Sequence, residues 1–61
     1  MKQNGYFLIK RTKSITLYLW GETEEELLPA FKPGMEIVPY YKDENSDFEF
    51  IKLGDIFVKI S

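Results

Sequence analysis

Apolar and polar positions alternate with a period of two along most of this chain, and that period belongs to β-strands, whose successive side chains point to opposite faces. Ser14 to Trp20 shows it cleanly: Ile15, Leu17 and Leu19 fall on one side, and Ser14, Thr16, Tyr18 and Trp20 on the other. Tyr6 to Thr12 is an earlier run rich in aromatic and β-branched residues, in which Tyr6 and Leu8 compete with Phe7 and Ile9 for the buried side. The short polar stretch Arg11 to Ser14 between the two runs predicts an antiparallel hairpin with a basic tip. Three more strands are expected at Met35 to Tyr41, Phe48 to Leu53 and Asp55 to Ile60; in the last, Ile56, Val58 and Ile60 oppose Phe57 and Lys59. Lys42 to Asp47 is a polar hairpin loop, and Gly54-Asp55 is a tight connection. Pro39 calls for a sheet edge, a bulge or a strand start at that point, because proline has no N–H to donate.

One segment departs from the strand pattern. After Gly21, the sequence Glu22-Thr23-Glu24-Glu25-Glu26-Leu27-Leu28 offers Thr23 and Glu26 at capping-box spacing and glutamates where a helix dipole is positive. Pro29 limits this element to one or two turns, and Lys32-Pro33-Gly34 carries the residues of a β-turn. The fold expected is all-β: a five-stranded antiparallel meander over residues 1–61, curling into a small barrel, with one short helical turn near residues 23–28. Rolling the sheet would bury one aromatic-rich face that a flat sheet leaves wet.

Phe31-Lys32-Pro33-Gly34-Met35-Glu36-Ile37-Val38, preceded by the acidic run Glu22 to Glu26, resembles the loop and diverging turn of SH3-like barrels. The resemblance extends over Glu22 to Ile60 by element order and over those eight residues by motif. It implies a small barrel. The family's peptide-binding tryptophan would fall where this chain reads Asp47-Phe48-Glu49-Phe50, and the tail Asp55 to Ser61 has neither proline nor tyrosine. Recognition of proline-rich ligands is therefore not implied here, since a fold does not carry its function with it.

Composition narrows the chemistry. At 61 residues the chain suits one domain, which buries only about 60% of the surface its unfolded form exposes. Hydrophobic residues make up 44%, enough for a core. Eight Lys and Arg against ten Asp and Glu give a net charge of −2, which disfavours affinity won by neutralising phosphates. There is no cysteine and no histidine, so thiol nucleophiles, disulfides, zinc-thiolate sites and the commonest general base are all missing. The serines have no base to activate them, and the reading is of a chain that is not an enzyme and needs no cofactor or metal. The longest uncharged apolar run, Ile15 to Trp20, is far below the roughly 20 residues that span a bilayer. No apolar stretch of signal-peptide length precedes Lys10, Arg11 and Lys13, and a cytosolic protein is expected.

Asp43-Glu44-Asn45-Ser46-Asp47 matches the opening of an EF-hand loop, but Phe48 and Gly54 stand where that motif needs glycine and glutamate. A solvated hairpin loop fits better. The aromatic residues are the most informative feature: Tyr18 and Trp20 oppose the Ile15, Leu17 and Leu19 face, with Tyr6 and Tyr40 extending the same outer surface, and such rings serve equally as core rim or as interface anchors. The function expected is a small protein-binding module or stoichiometric inhibitor. Tyr18, Trp20 and Tyr40 would make contact, and Glu24, Glu25 and Glu26 would steer a partner with a basic surface. Two alternatives stay open: a homodimer or assembly protein that pairs through strand edges or the aromatic face, and a nucleic-acid-binding small barrel, which the charge disfavours.

Overall fold

The computed structural model describes residues 1–61. Five strands form one antiparallel sheet: β1 (Lys2–Arg11), β2 (Ile15–Gly21), β3 (Met35–Lys42), β4 (Glu49–Leu53) and β5 (Ile56–Lys59). A short helix α1 (Glu24–Leu27) runs on into a 3₁₀ turn at Leu28–Ala30 between β2 and β3. The all-β class, the five strands and the short helix are those expected from the pattern. The strand order is β2-β1-β3-β4-β5. From β1 through β3 to β5 each strand lies beside the next, but β2 folds back to the outside of β1, and the helical link then carries the chain across to β1's other edge. The expectations of a simple meander, in which β2 would lie beside β3, and of a barrel need correcting. β2 and β5 are not paired with each other, and the sheet stays open.

β1 takes the central role because it is apolar on both faces. Leu8 and Ile9 are consecutive, point to opposite sides and are both fully buried. The competition in the sequence between Tyr6 and Leu8 and Phe7 and Ile9 is resolved by use of both sets, as in any strand with cover on two sides. On the Ile9 side the core consists of Ile9, Val38, Tyr40 and Ile51, with Phe7, Ile15, Leu53, Val58 and Ile60 packed around it. Phe7 and Tyr40 meet edge to face at 5.1 Å within it. Leu8 and Leu27 are buried outside that cluster, and Leu27 brings α1 against β1 and β2.

α1 begins as its sequence predicts. The Thr23 hydroxyl accepts from the Glu26 backbone N–H at 3.4 Å, while the Glu26 carboxylate reaches back to accept from the backbone N–H of Glu22 at 2.8 Å. Gly21, the last residue of β2, makes room for the helix: a Cβ there would stand 2.8 Å from the Leu27 Cγ. Pro39 is accommodated by the other signal the sequence offered, a bulge. The β1–β3 register slips between Gln3 and Tyr6, opposite Tyr40 and next to the Tyr6–Pro39 pair, and β4 pairs only with Tyr40 to Lys42, so no ladder bond is lost on that side. Gly5 sits in this bulge with φ +87°, and a Cβ added to it would lie 2.5 Å from the Gly21 carbonyl and 2.7 Å from the Trp20 indole nitrogen.

Only seven of the 61 residues are buried, and the molecule is a slab of 35 × 26 × 18 Å, so each core side chain carries a large share of the stability. Ile51→Ala is expected to cost about 2–5 kcal/mol by leaving a cavity beside Ile9 and Tyr40. Gly5→Ala combines a left-handed backbone with two close approaches and should cost about 1–3 kcal/mol. Urea unfolding checks both; midpoints equal to that of the unaltered chain would mean that neither site is packed as described.

Candidate functional site

β2 is an edge strand with no layer over most of it. Leu17, Tyr18, Leu19 and Trp20 are four consecutive large apolar side chains, each between 39% and 52% exposed. Successive residues of a strand face opposite ways, so this exposure runs along both faces of the sheet margin. The clean alternation read from the sequence is interrupted here. Leu8 pairs with Leu19 and Ile9 with Leu17, which makes Tyr18 the extra residue of a β-bulge. Trp20 pairs with Phe7 and so falls on the same face as Leu17, whereas Leu19 falls on the opposite face with Leu8. The separation of Leu17 and Leu19 onto one side and Tyr18 and Trp20 onto the other is therefore corrected: the bulge turns over the second half of the strand.

Trp20 has a structural tie as well as an exposed one. Its indole N–H donates to the Asn4 carbonyl at 2.8 Å, and its ring lies over Gly5, which fixes the ring on the sheet and leaves part of it in water. Tyr18 has neither bond and is the most exposed of the four. Tyr40, expected on the same outer surface, is instead in the core at 6% exposure. Its hydroxyl donates to a Glu49 carboxylate oxygen at 2.6 Å. Burial first, then that hydrogen bond and the Glu49 charge, push the phenol up to about 12. Tyr40 is thus no partner contact: β3 turns residue 40 toward Ile9 and Ile51, and it is Tyr41 that faces the other way, edge to face with Phe57 at 5.0 Å.

The three glutamates do different things. Glu26 holds the helix start through the Glu22 N–H. Glu24 and Glu25 are exposed and, with Glu22, Thr23, Gln3, Gly5 and Tyr6, line an open groove of about 560 Å³ beside the end of β2. The acidic run and Trp20 thus share one end of the strand. At the other end is the basic hairpin tip, where the Arg11 guanidinium meets the Glu36 carboxylate at 2.8 and 3.2 Å on the surface, while Lys10 and Lys13 are exposed. The structure therefore brings Tyr18, Trp20, Glu24 and Glu25 to one margin and removes Tyr40 from it. Leu17 and Leu19 belong to that margin too, half exposed on opposite faces of it, which an unbroken alternation does not show.

The remaining aromatic and acidic features are accounted for locally. Lys59 Nζ lies 4.0 Å from the centre of the Phe48 ring, and Lys52 lies over Phe57 at 5.7 Å. In the Lys42 to Asp47 loop, Asp43 accepts from the Asn45 N–H at 3.0 Å and from the Ser46 hydroxyl at 2.8 Å, and those two bonds, in that order, hold its carboxyl below the usual carboxylate range. Its oxygens close the turn of their own loop.

Tyr40 gives a pH dependence with a definite sign. Below pH 10 the phenol is protonated in both the folded and unfolded chain, and its contribution to stability is constant; between pH 10 and about 12 the unfolded chain releases the proton and the folded one keeps it, so stability falls. Denaturant midpoints measured across that interval should drop for the unaltered chain, with a shallower fall in Tyr40→Phe. Parallel profiles for the two would contradict the burial of Tyr40 against Ile9 and Ile51 together with its bond to Glu49. No protein-family model, curated protein or solved structure matches this chain, so a functional reading rests on the surface described above.

Proposed function

We propose that this chain is a non-catalytic, cytosolic protein-binding module that works by covering a surface of its partner. One observation carries the reading: four consecutive large apolar side chains, Leu17 to Trp20, stand half exposed on an edge strand. Rings at such a position supply large contact area for little loss of freedom, and Trp20 is already held in place by Asn4. Glu24 and Glu25, exposed beside the end of the strand, favour a partner that is basic there. Catalysis is poorly supported by the same geometry. Tyr40 and Asp43, whose protonation the fold shifts, are both engaged in bonds that hold the fold together.

The test is affinity capture with the tagged chain from a nuclease-treated extract in which untagged copies of the same chain are also present. The expected result is one protein recovered in stoichiometric amount, and recovery should fall about tenfold with Tyr18→Ala, the scale of an interface anchor. Tyr18 makes no hydrogen bond within the fold, so this substitution leaves the core intact. Recovery that depends on nucleic acid, or that ignores Tyr18, would overturn the proposal.

A further inference from the structure

The exposed strand has the features of a surface that receives another strand. As the outermost strand of the sheet, β2 presents unpaired backbone donors and acceptors along one side. Ile15 to Gly21 contains no charged residue and no proline, the usual means of blunting an edge, and its one irregularity is the bulge at Tyr18. The opposite edge, β5, is four residues long and carries Lys59. β2 is thus the edge that favours extension.

Charge decides what kind of strand fits. The residues before β2 are basic, with Lys13 next to Arg11 and Lys10 at the hairpin tip, and those after it are acidic, with Glu22, Glu24 and Glu25. A strand added antiparallel must be acidic at the Lys13 end and basic at the Glu24 end. A second copy of β2 with its own flanks meets that requirement, and does so at both ends at once. Parallel addition of a copy would set lysine against lysine and glutamate against glutamate. The bulge selects the register. It places Leu17 and Trp20 on one face and Leu19 on the other, so faces match across the seam when Leu17 of one copy stands opposite Trp20 of the other. Tyr18 then lies opposite Leu19, and the basic turn at Lys13 of each copy falls at the end of the seam where the other copy's β2 leads into Glu22 and the acidic start of α1.

We propose that β2 pairs antiparallel with β2 of a second copy of this chain, about a two-fold axis between Tyr18 and Leu19, joining two five-stranded sheets into one of ten. The proposal rests on the reading of β2 as a binding surface and names the partner with the basic patch as the chain itself. It matches the modest core: seven buried residues and no cysteine leave the molecule much to gain from covering this margin. Equivalent residues then serve in both directions, as an isologous interface requires.

Sedimentation equilibrium of the full chain, from about 1 μM to about 1 mM, is the first measurement, since that span covers the range of ordinary dimer affinities. The mass should rise from 7.2 kDa toward twice that value. Two charge reversals at exposed positions then test the geometry. Lys13→Glu and Glu24→Lys should each weaken self-association about tenfold, because each places like charges together at both ends of the seam. An equimolar mixture of the two variants should recover the affinity of the unaltered chain, because opposite charges face each other again in the mixed pair. A mass of one chain at every concentration overturns the proposal, and in that case Tyr18-dependent capture of a different protein would leave the binding role standing. A dimer indifferent to both reversals, or one that mixing does not restore, also overturns it, by placing the contact elsewhere.

Discussion

Burial of both Leu8 and Ile9 is the constraint from which the rest of the structure follows. Two consecutive strand residues cannot both be dry unless there is cover on both sides of the sheet. The Ile9 side obtains it from the curl of β3, β4 and β5, which brings Val38, Tyr40 and Ile51 together. A second dry region, at Leu8 and Leu27, lies outside that cluster, and Leu27 comes from the short helix that Gly21 allows to approach so closely. Each device covers one part of β1. Neither has material left to cover β2, and so an apolar strand becomes the wet margin of a sheet whose centre is satisfied.

Closure into a barrel would have been the alternative way to hide β2, and the geometry shows why it does not happen. β5 is only four residues long and β4 pairs with β3 over Tyr40 to Lys42 alone, so the second half of the sheet offers few backbone bonds with which to meet the seven residues of β2. The bulge at Gly5 adds twist where β1 leaves Trp20 behind, and the one at Tyr18 turns the end of β2 over. The Trp20 indole bonded to Asn4 closes the gap at the bulge, which is why Trp20 is at once part of the fold and part of its exposed margin.

Much of this was legible in the sequence, and the part that was not has a common cause. The five strands, the Thr23 cap with Glu26, the Lys42 to Asp47 loop and the irregularity at Pro39 are all local, each decided by residues within a turn or two of one another. Strand order is not local. Nothing in Ile15 to Gly21 states whether it will be covered, and a clean alternation is as good a signature of a half-buried strand as of an uncovered one. The bulges were invisible for a related reason: an extra residue in β2 is defined only against the β1 register, so the alternation sets Leu19 beside Leu17 whereas it shares a face with Leu8. Tyr40 was misplaced for a related reason: its own alternation puts it with Val38, but that this face of β3 is the covered one is decided by Ile9 and Ile51, far away in the chain.

The charge pattern takes on meaning only once the strand order is known. In the sequence, Lys10 to Lys13 and Glu22 to Glu26 are two surface runs of opposite sign, each explained by solubility or by the helix dipole. In the fold they bracket one uncharged edge and give it a direction. Pairs of exposed charges are individually weak, as the Arg11–Glu36 bridge on the same surface also must be. Their value at an edge is in selection: backbone hydrogen bonding accepts a strand in either orientation, and apolar side chains accept almost any neighbour, so a gradient of sign along the edge is what distinguishes one orientation from the other. An uncharged edge without such a gradient would be a site of indiscriminate aggregation. With it, the strand that fits best carries the same gradient reversed, and within this molecule that description applies to β2 itself.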